Sequence, residues 1–307
     1  MNSVIAALLP VFLLIAVGYA LRRFGLPGEG FWVPAERLTY YVFFPALLVY
    51  NLGRAPLAGQ PVTDLAASMV IAVVALSLLL LALRGPLRMS GPAFTSLFQG
   101  SIRFNTYIGI AAAAALYGAT GLTLAAIAMA TMIPLINVLC VAVLTRWGSH
   151  GRSAGALAVL LGIVRNPLVL ACATGIALNL TGIGVPVPVD GVLDILGRAA
   201  LPMGLLAVGA GLNLSSLRQA GGAMALSCLT KLMIMPGLMW LTTTLLDLPP
   251  TATAIAILFA ALPGATSAYI LARQLGGDHE LIAGMVTLQT GLAVITLPFT
   301  LTLLTSL

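Results

Sequence analysis

Arg103, Asn105 and Thr106 stand in the middle of an apolar run long enough to cross a bilayer, within the stretch 98–109. A second stretch, 261–269, sets Pro263-Gly264 ahead of Thr266 and Ser267 inside another such run. These are residue types that a membrane helix excludes or keeps only at a cost. Interrupted backbone survives at membrane depth only where it is buried in protein or lines a watery cavity. The two stretches therefore read as two broken helices that meet at a substrate site.

A cation at mid-membrane costs about 2.5–3.5 kcal/mol even on the insertion scale, so Arg103 needs a partner. No acid lies within its run. The partner is a carbonyl freed by the helix break, an acid from elsewhere, or a bound anion; alternatively Arg103 only caps the break or snorkels. Asn105 offers both donors and acceptors, which suit exposed backbone or a ligand carboxylate. Pro263 removes one N–H and Gly264 relaxes the backbone beside it. Half-helices beginning near Thr106 and at Thr266-Ser267 would each aim free N–H groups and a positive dipole end at the midplane. Two positive ends and an arginine favour an anion, whereas the C-terminal ends of the preceding half-helices suit a coupling ion, H⁺ or Na⁺. Lys231 lies near the centre of another apolar run, as structural glue, as a contact to the anion, or as a titrating charge in coupling. Asn51, Asn137, Gln289 and Thr290 are intramembrane polar residues. For each the plain reading is interhelical hydrogen bonding, with support or coupling of the site as the functional one.

The elements that must hold these groups follow from composition. The 307-residue chain has a mean hydropathy of +1.10, is 60% hydrophobic and only 7% charged. Soluble domains carry about 25% charged residues, so the chain reads as an all-α polytopic membrane protein. A transmembrane barrel would show short alternating segments instead. Ten spans are expected near 3–21, 35–53, 62–83, 91–116, 120–145, 160–180, 190–212, 219–243, 249–274 and 281–305. The first has no basic residue ahead of it and Arg22-Arg23 behind it, so it reads as a transmembrane helix rather than a signal peptide. The charge of +6 would suggest nucleic acid in a soluble protein; here it reflects loop arginines.

A repeat underlies the spans. A shift of 157 superposes Pro10 on Pro167, Gly18 on Gly175, Gly25 on Gly182, Pro45 on Pro202 and Pro92 on Pro249. One further residue of shift brings Gly118 onto Gly276 and Asn105 onto Pro263. Five helices per half is an odd number, so the halves must be inverted. The division is 1–145 for the first half, 146–159 for a cytoplasmic linker and 160–307 for the second. Arg22, Arg23, Arg37, Arg84, Arg88, Arg146, Arg152, Arg218 and Arg273 fall on one face, and Arg54 and Arg198 on the other. That asymmetry places the first set in the cytoplasm, with both termini extracellular or periplasmic and the chain in the cell (inner) membrane.

Other polar residues read more simply. Asp190, Asp194 and Arg198 are spaced as a solvated ion-pair face. His150 and His279 belong to loops. Gly204, Gly209 and Gly211 suit close helix packing or a dimer seam. Cys140, Cys172 and Cys228 lie in apolar runs and imply neither disulfide nor metal site. Metal clusters, P-loops, Gly-x-Ser-x-Gly and paired intramembrane aspartates are missing from the sequence, which argues against an enzyme or a carboxylate-based cation antiporter.

Several stretches resemble the auxin efflux carrier family, with its bacterial malate- and malonate-type permeases. They include Leu38-Thr39-Tyr40-Tyr41-Val42-Phe43-Phe44-Pro45, Phe98-Gln99-Gly100 with Arg103-Phe104-Asn105, Asn166-Pro167-Leu168, Leu201-Pro202 through Gly211-Leu212, and Leu262-Pro263. The resemblance implies two inverted five-helix repeats crossing at broken helices 4 and 9, an architecture like that of bile-acid symporters. It also implies a scaffold of helices 1, 2, 6 and 7, an elevator of helices 3–5 and 8–10, and a homodimer. Asn105 and Pro263 would mark the crossing, and helix 2 around Asn51 would face the substrate. The long loop of the plant carriers between helices 5 and 6 is missing. The expectation is a secondary transporter of a small organic anion such as malate, malonate or an auxin-like acid, with no cofactor and no nucleic-acid partner. A passive anion channel or a membrane receptor on the same fold is the alternative.

Overall fold

The computed structural model describes residues 2–28, 30–55, 60–149, 166–219 and 221–304. Most of the 146–159 linker and the start of the 160–180 span, with His150, Arg152 and Arg165, lie outside them. All regular elements among the described residues are helical. Helix α1 is Asn2–Arg23. Helix α2 (Trp32–Leu38) continues through a π-helical turn, Thr39–Phe43, into α3 (Phe44–Leu52). Then come α4 (Val62–Leu87), α5 (Gly91–Ile102), α6 (Thr106–Trp147), α7 (Pro167–Leu180) and α8 (Val187–Gly211). Helix α9 (Gly222–Leu229) runs through a second π turn, Thr230–Ile234, into α10 (Met235–Leu245). The chain ends with α11 (Pro250–Ala261), α12 (Ser267–Leu275) and α13 (His279–Leu304).

Six helical stretches are long and apolar enough to cross a membrane: Ser3–Arg23, Val62–Leu87, Gly91–Trp147, Val187–Gly211, Gly222–Leu245 and His279–Leu303. Pro167–Leu180 and Pro250–Ala261 are shorter apolar helices. Helix α6 alone has 42 residues, about 63 Å if straight and twice a hydrocarbon core. It is not straight. Gly118 adopts φ 54° and ψ −135°, outside helical space. A Cβ on Gly121 would stand 2.2 Å from the Ala113 carbonyl oxygen, although eight residues of straight helix span about 12 Å. The chain therefore folds back here as a helical hairpin.

Both π turns have one cause. Phe44 N–H reaches back five residues to the Thr39 carbonyl, and Met235 N–H to that of Thr230. Each donor stands directly before a proline, Pro45 or Pro236. A proline ring clashes with the carbonyl four residues back and supplies no N–H, and widening the preceding turn relieves both problems.

Packing sorts the helices. Helix α1 lies along α8, and α3 packs on α7 and α8. Helix α4 packs on α10 and α6, and α11 on α10, α6 and α13. The α1–α8 contact is backbone against backbone. A Cβ on Gly209 would stand 1.8 Å from the Ile15 carbonyl oxygen, and one on Gly18 would stand 2.1 Å from that of Leu206. Gly209 thus serves packing within the chain, as does Gly204 against Phe44 and Tyr107. Only small residues allow helices this close where lipid supplies no hydrophobic drive. The ion-pair face is divided differently from its i, i+4 spacing. Asp194 pairs with Arg198 at 2.6 Å, whereas Asp190 pairs with Arg54, which also lies over the Tyr50 ring.

Candidate functional site

Both marked stretches interrupt their helices. Helix α5 ends at Ile102, Arg103 is extended (φ −72°, ψ 150°), and α6 begins at Thr106. Helix α11 ends at Ala261, Leu262 is extended (φ −61°, ψ 145°), and α12 begins at Ser267. The interruptions touch: Asn105 N–H donates to the Pro263 carbonyl at 2.8 Å. Asn105 also explains why α6 restarts where it does. Its side-chain oxygen accepts from the N–H groups of Tyr107 and Ile108 at 3.1 and 3.2 Å, so it caps the new helix.

Gln289 on α13 ties the two breaks together from behind. Its Oε1 accepts from Gly264 N–H at 2.8 Å, and its Nε2 donates to the Gly100 carbonyl and to Ser227 Oγ, each at 2.9 Å. Backbone left unpaired by both breaks is thereby satisfied by one buried amide, as the low-dielectric interior demands. Ser101 and Thr230 add a buried hydroxyl pair at 2.7 Å.

In front of the breaks lies a cavity of about 400 Å³, within the range of small-molecule sites. Arg103, Asn105, Thr106, Thr266 and Ser267 line it, and Asn137 lines it as well. The Arg103 guanidinium donates to Asn137 Oδ1 at 3.1 Å and to Ser267 Oγ at 3.4 Å. Neither partner is an acid, and the ion pairs among the described residues lie elsewhere. Among the described residues no acid pairs with the guanidinium directly. Helices α6 and α12 both begin at the cavity wall, adding two positive helix ends to it.

The other expected site residues are placed differently. Pro263 and Gly264 are buried behind the wall and shape it through their backbone. Asn51 is outside the cavity lining; its amide donates to the Leu47 carbonyl of its own helix at 2.7 Å. The face of helix 2 that meets the cavity is nearer its start, at Glu36, Arg37, Tyr40 and Tyr41. Thr290 donates to Val286 O at 2.7 Å. Lys231 is fully buried in the second π turn, and among the described residues its Nζ has no hydrogen-bond partner. Gln99 is also buried, and both its amide atoms lack partners.

Sequence reasoning passed over Glu36, Tyr40, Tyr107 and Asn166, all of which line the cavity. Glu36 lies beside Thr266 and Tyr40 beside Asn166 in that lining. Tyr107 stacks on Phe44 at 4.7 Å. A signal for Glu36 existed: it is an acid at the start of an apolar helix beside a recognisable motif. His279, expected on the surface, is half-buried against Tyr269 at 5.4 Å. Among the described residues no group of His, Cys, Asp and Glu is arranged to hold a metal, and the three cysteines are free and buried.

The chain is 27% identical over 313 residues to a Rhizobium meliloti (strain 1021) protein named "Putative malonate transporter", covering 96% of this chain and 94% of that one. It is 25% identical over 299 residues to an "Uncharacterized transporter" of Methanothermobacter thermautotrophicus, covering 94% and 95%. The family model described as "Membrane transport protein" matches residues 3–301. With its apolar helices and this match along nearly its whole length, the chain belongs to that membrane transport protein family, a family of transporters rather than enzymes.

Proposed function

We propose that this protein is a secondary transporter of a small organic anion, a carboxylate of the malonate or malate kind. The observation that carries this reading is the Arg103 guanidinium, paired with no acid among the described residues, between two helix N-termini in one cavity, where the α5–α6 and α11–α12 breaks meet. A carboxylate placed there would meet charge-assisted donors without displacing an internal ion pair. The R. meliloti relative's name points to the same chemistry.

Transport follows by alternating access between two inverted five-helix halves, 1–145 and 160–307, in the inner membrane, with both termini outside. Landmark pairs that coincide in sequence also share positive φ, which supports the repeat. Gly25 and Gly182 have φ 75° and 71°; Gly118 and Gly276 have φ 54° and 78°, although their ψ values, −135° and 30°, differ. Packing of α1, α3, α7 and α8 together, and of α4, α6, α10, α11 and α13 together, supports a scaffold of helices 1, 2, 6 and 7; the family resemblance adds the expectation of a homodimer. The remaining helices would then slide as a unit.

Purified protein in proteoliposomes tests this. Saturable uptake of labelled malonate or malate that depends on an imposed gradient is expected. Non-saturating flux would make it a channel, and binding without flux a receptor.

A further inference from the structure

The cavity carries one acid that the proposed reading leaves without a task. Glu36 lines it together with Arg103 and Arg37, yet ion pairs among the described residues do not include it. It lies beside Thr266, directly before the first residue of α12. In its charged form Glu36 would therefore compete with a substrate carboxylate for the positive end of α12, in the cavity that Arg103 also lines.

The surrounding groups make Glu36 the element that senses pH. From its own segment Arg37, Tyr40 and Tyr41 face the cavity, Arg103 faces it from the α5–α6 break and Tyr107 from α6, while α12 contributes Ser267 and Ile270, neither of them charged. Helix α8 packs along α2; its Asp190, Asp194 and Arg198 are engaged in ion pairs, and none lines the cavity. Glu36 is thus the single carboxyl among the described residues of the lining.

We infer that Glu36 is the proton-coupling group of this transporter: it must take up a proton for the anion to bind, so that one H⁺ travels with each anion. This rests on the anion-transport reading above. Two carboxylates in one enclosed site disfavour each other's charge. On the loading side, Glu36–COO⁻ accepts one proton and the anion takes its place at Arg103. On the other side the anion leaves, and Glu36 releases the proton and returns, charged, to the end of α12 beside Thr266. No other bond forms or breaks.

The test uses full-length protein in proteoliposomes holding a pH dye, with the membrane potential clamped and malonate and malate as probes. In wild type, each added anion acidifies the lumen saturably above protein-free vesicles, and affinity falls by up to tenfold per pH unit as pH rises. Glu36→Gln loses both the anion-driven acidification and the added pH dependence; protonation of the probe itself is common to both proteins and drops out of their ratio. Glu36→Asp, which keeps the carboxyl, retains both and guards against a variant that merely misfolds. Anion uptake by wild type without proton movement, or a Glu36→Gln protein that still carries protons with the anion, overturns the inference while leaving anion transport standing. Neither malonate nor malate binding at any pH overturns the transport reading itself.

Discussion

Replacing Arg103 with glutamine removes the one full positive charge at the meeting of the two breaks and nearly preserves side-chain length. A sphere with the cavity's volume is about 9 Å across, so a carboxylate filling it lies within about 5 Å of the guanidinium. At an effective dielectric constant of 20, that attraction is about 3 kcal/mol. Arg103 is half-exposed, and solvent screening lowers the figure to about 1.5–3 kcal/mol, tenfold to a hundredfold in Kd. The cost to folding is smaller. Two hydrogen bonds are lost, each about 1 kcal/mol, but so is the penalty of holding an unpaired cation in the membrane. Calorimetry with malonate and malate, beside thermal unfolding of the ligand-free proteins, separates the two effects. The expected result is a large loss of affinity with a nearly unchanged unfolding midpoint, and partial recovery in Arg103→Lys. Equal affinity in wild type and Arg103→Gln would refute the reasoning.

Asn105→Ala removes the cap of α6 and should cost about 1–2 kcal/mol of stability, seen as a lower unfolding midpoint, with Asn105→Asp retaining most of it. Gln289→Leu leaves Gly264 N–H and Gly100 C=O unpaired in the interior. At about 1–3 kcal/mol for each orphaned group, it should destabilise more than Asn105→Ala does in the same assay. Gly209→Ala drives a methyl into the Ile15 carbonyl and should separate α1 from α8 at a cost of about 1–3 kcal/mol. Gly237→Ala, which meets open space within α10, should stabilise by about 0.5–1 kcal/mol. Lys231→Met exchanges an unpartnered buried amine for an apolar chain of similar length, so unfolding should occur at the same temperature or higher; a marked fall would show that Nζ has a partner.

The breaks were legible in the sequence because composition and local chemistry agreed. Pro263-Gly264 and the Arg103–Asn105 pair are costly inside apolar runs, and nothing except interrupted backbone makes them tolerable. The order of Gly and Pro landmarks was readable for the same reason: those residues constrain backbone directly, as the shared positive φ of Gly118 and Gly276 illustrates. What could not be read was which turn of a helix faces the cavity. Asn51 was the conspicuous polar residue of helix 2, but it satisfies itself on the Leu47 carbonyl, while Glu36 and Tyr40, about three to four turns earlier, reach the cavity. Orientation of that kind depends on the π turn at Thr39–Phe43, which rotates the faces on either side of Pro45 relative to each other. The role of Gln289 was hidden differently. One amide bridging both breaks is a long-range arrangement, and a lone glutamine in an apolar helix has no spacing that announces it.

The central claim is that the carboxylate sits where the two broken helices meet. Alkylation of Ser267→Cys tests this most directly, because Ser267 is exposed, lines the cavity and touches Arg103, while the native thiols are buried. In protein shown by thermal shift to bind malonate or malate, the ligand should slow labelling of Ser267→Cys at least tenfold and leave the exposed Thr181→Cys, outside the cavity, unaffected. Equal labelling of Ser267→Cys with and without bound carboxylate would contradict the account.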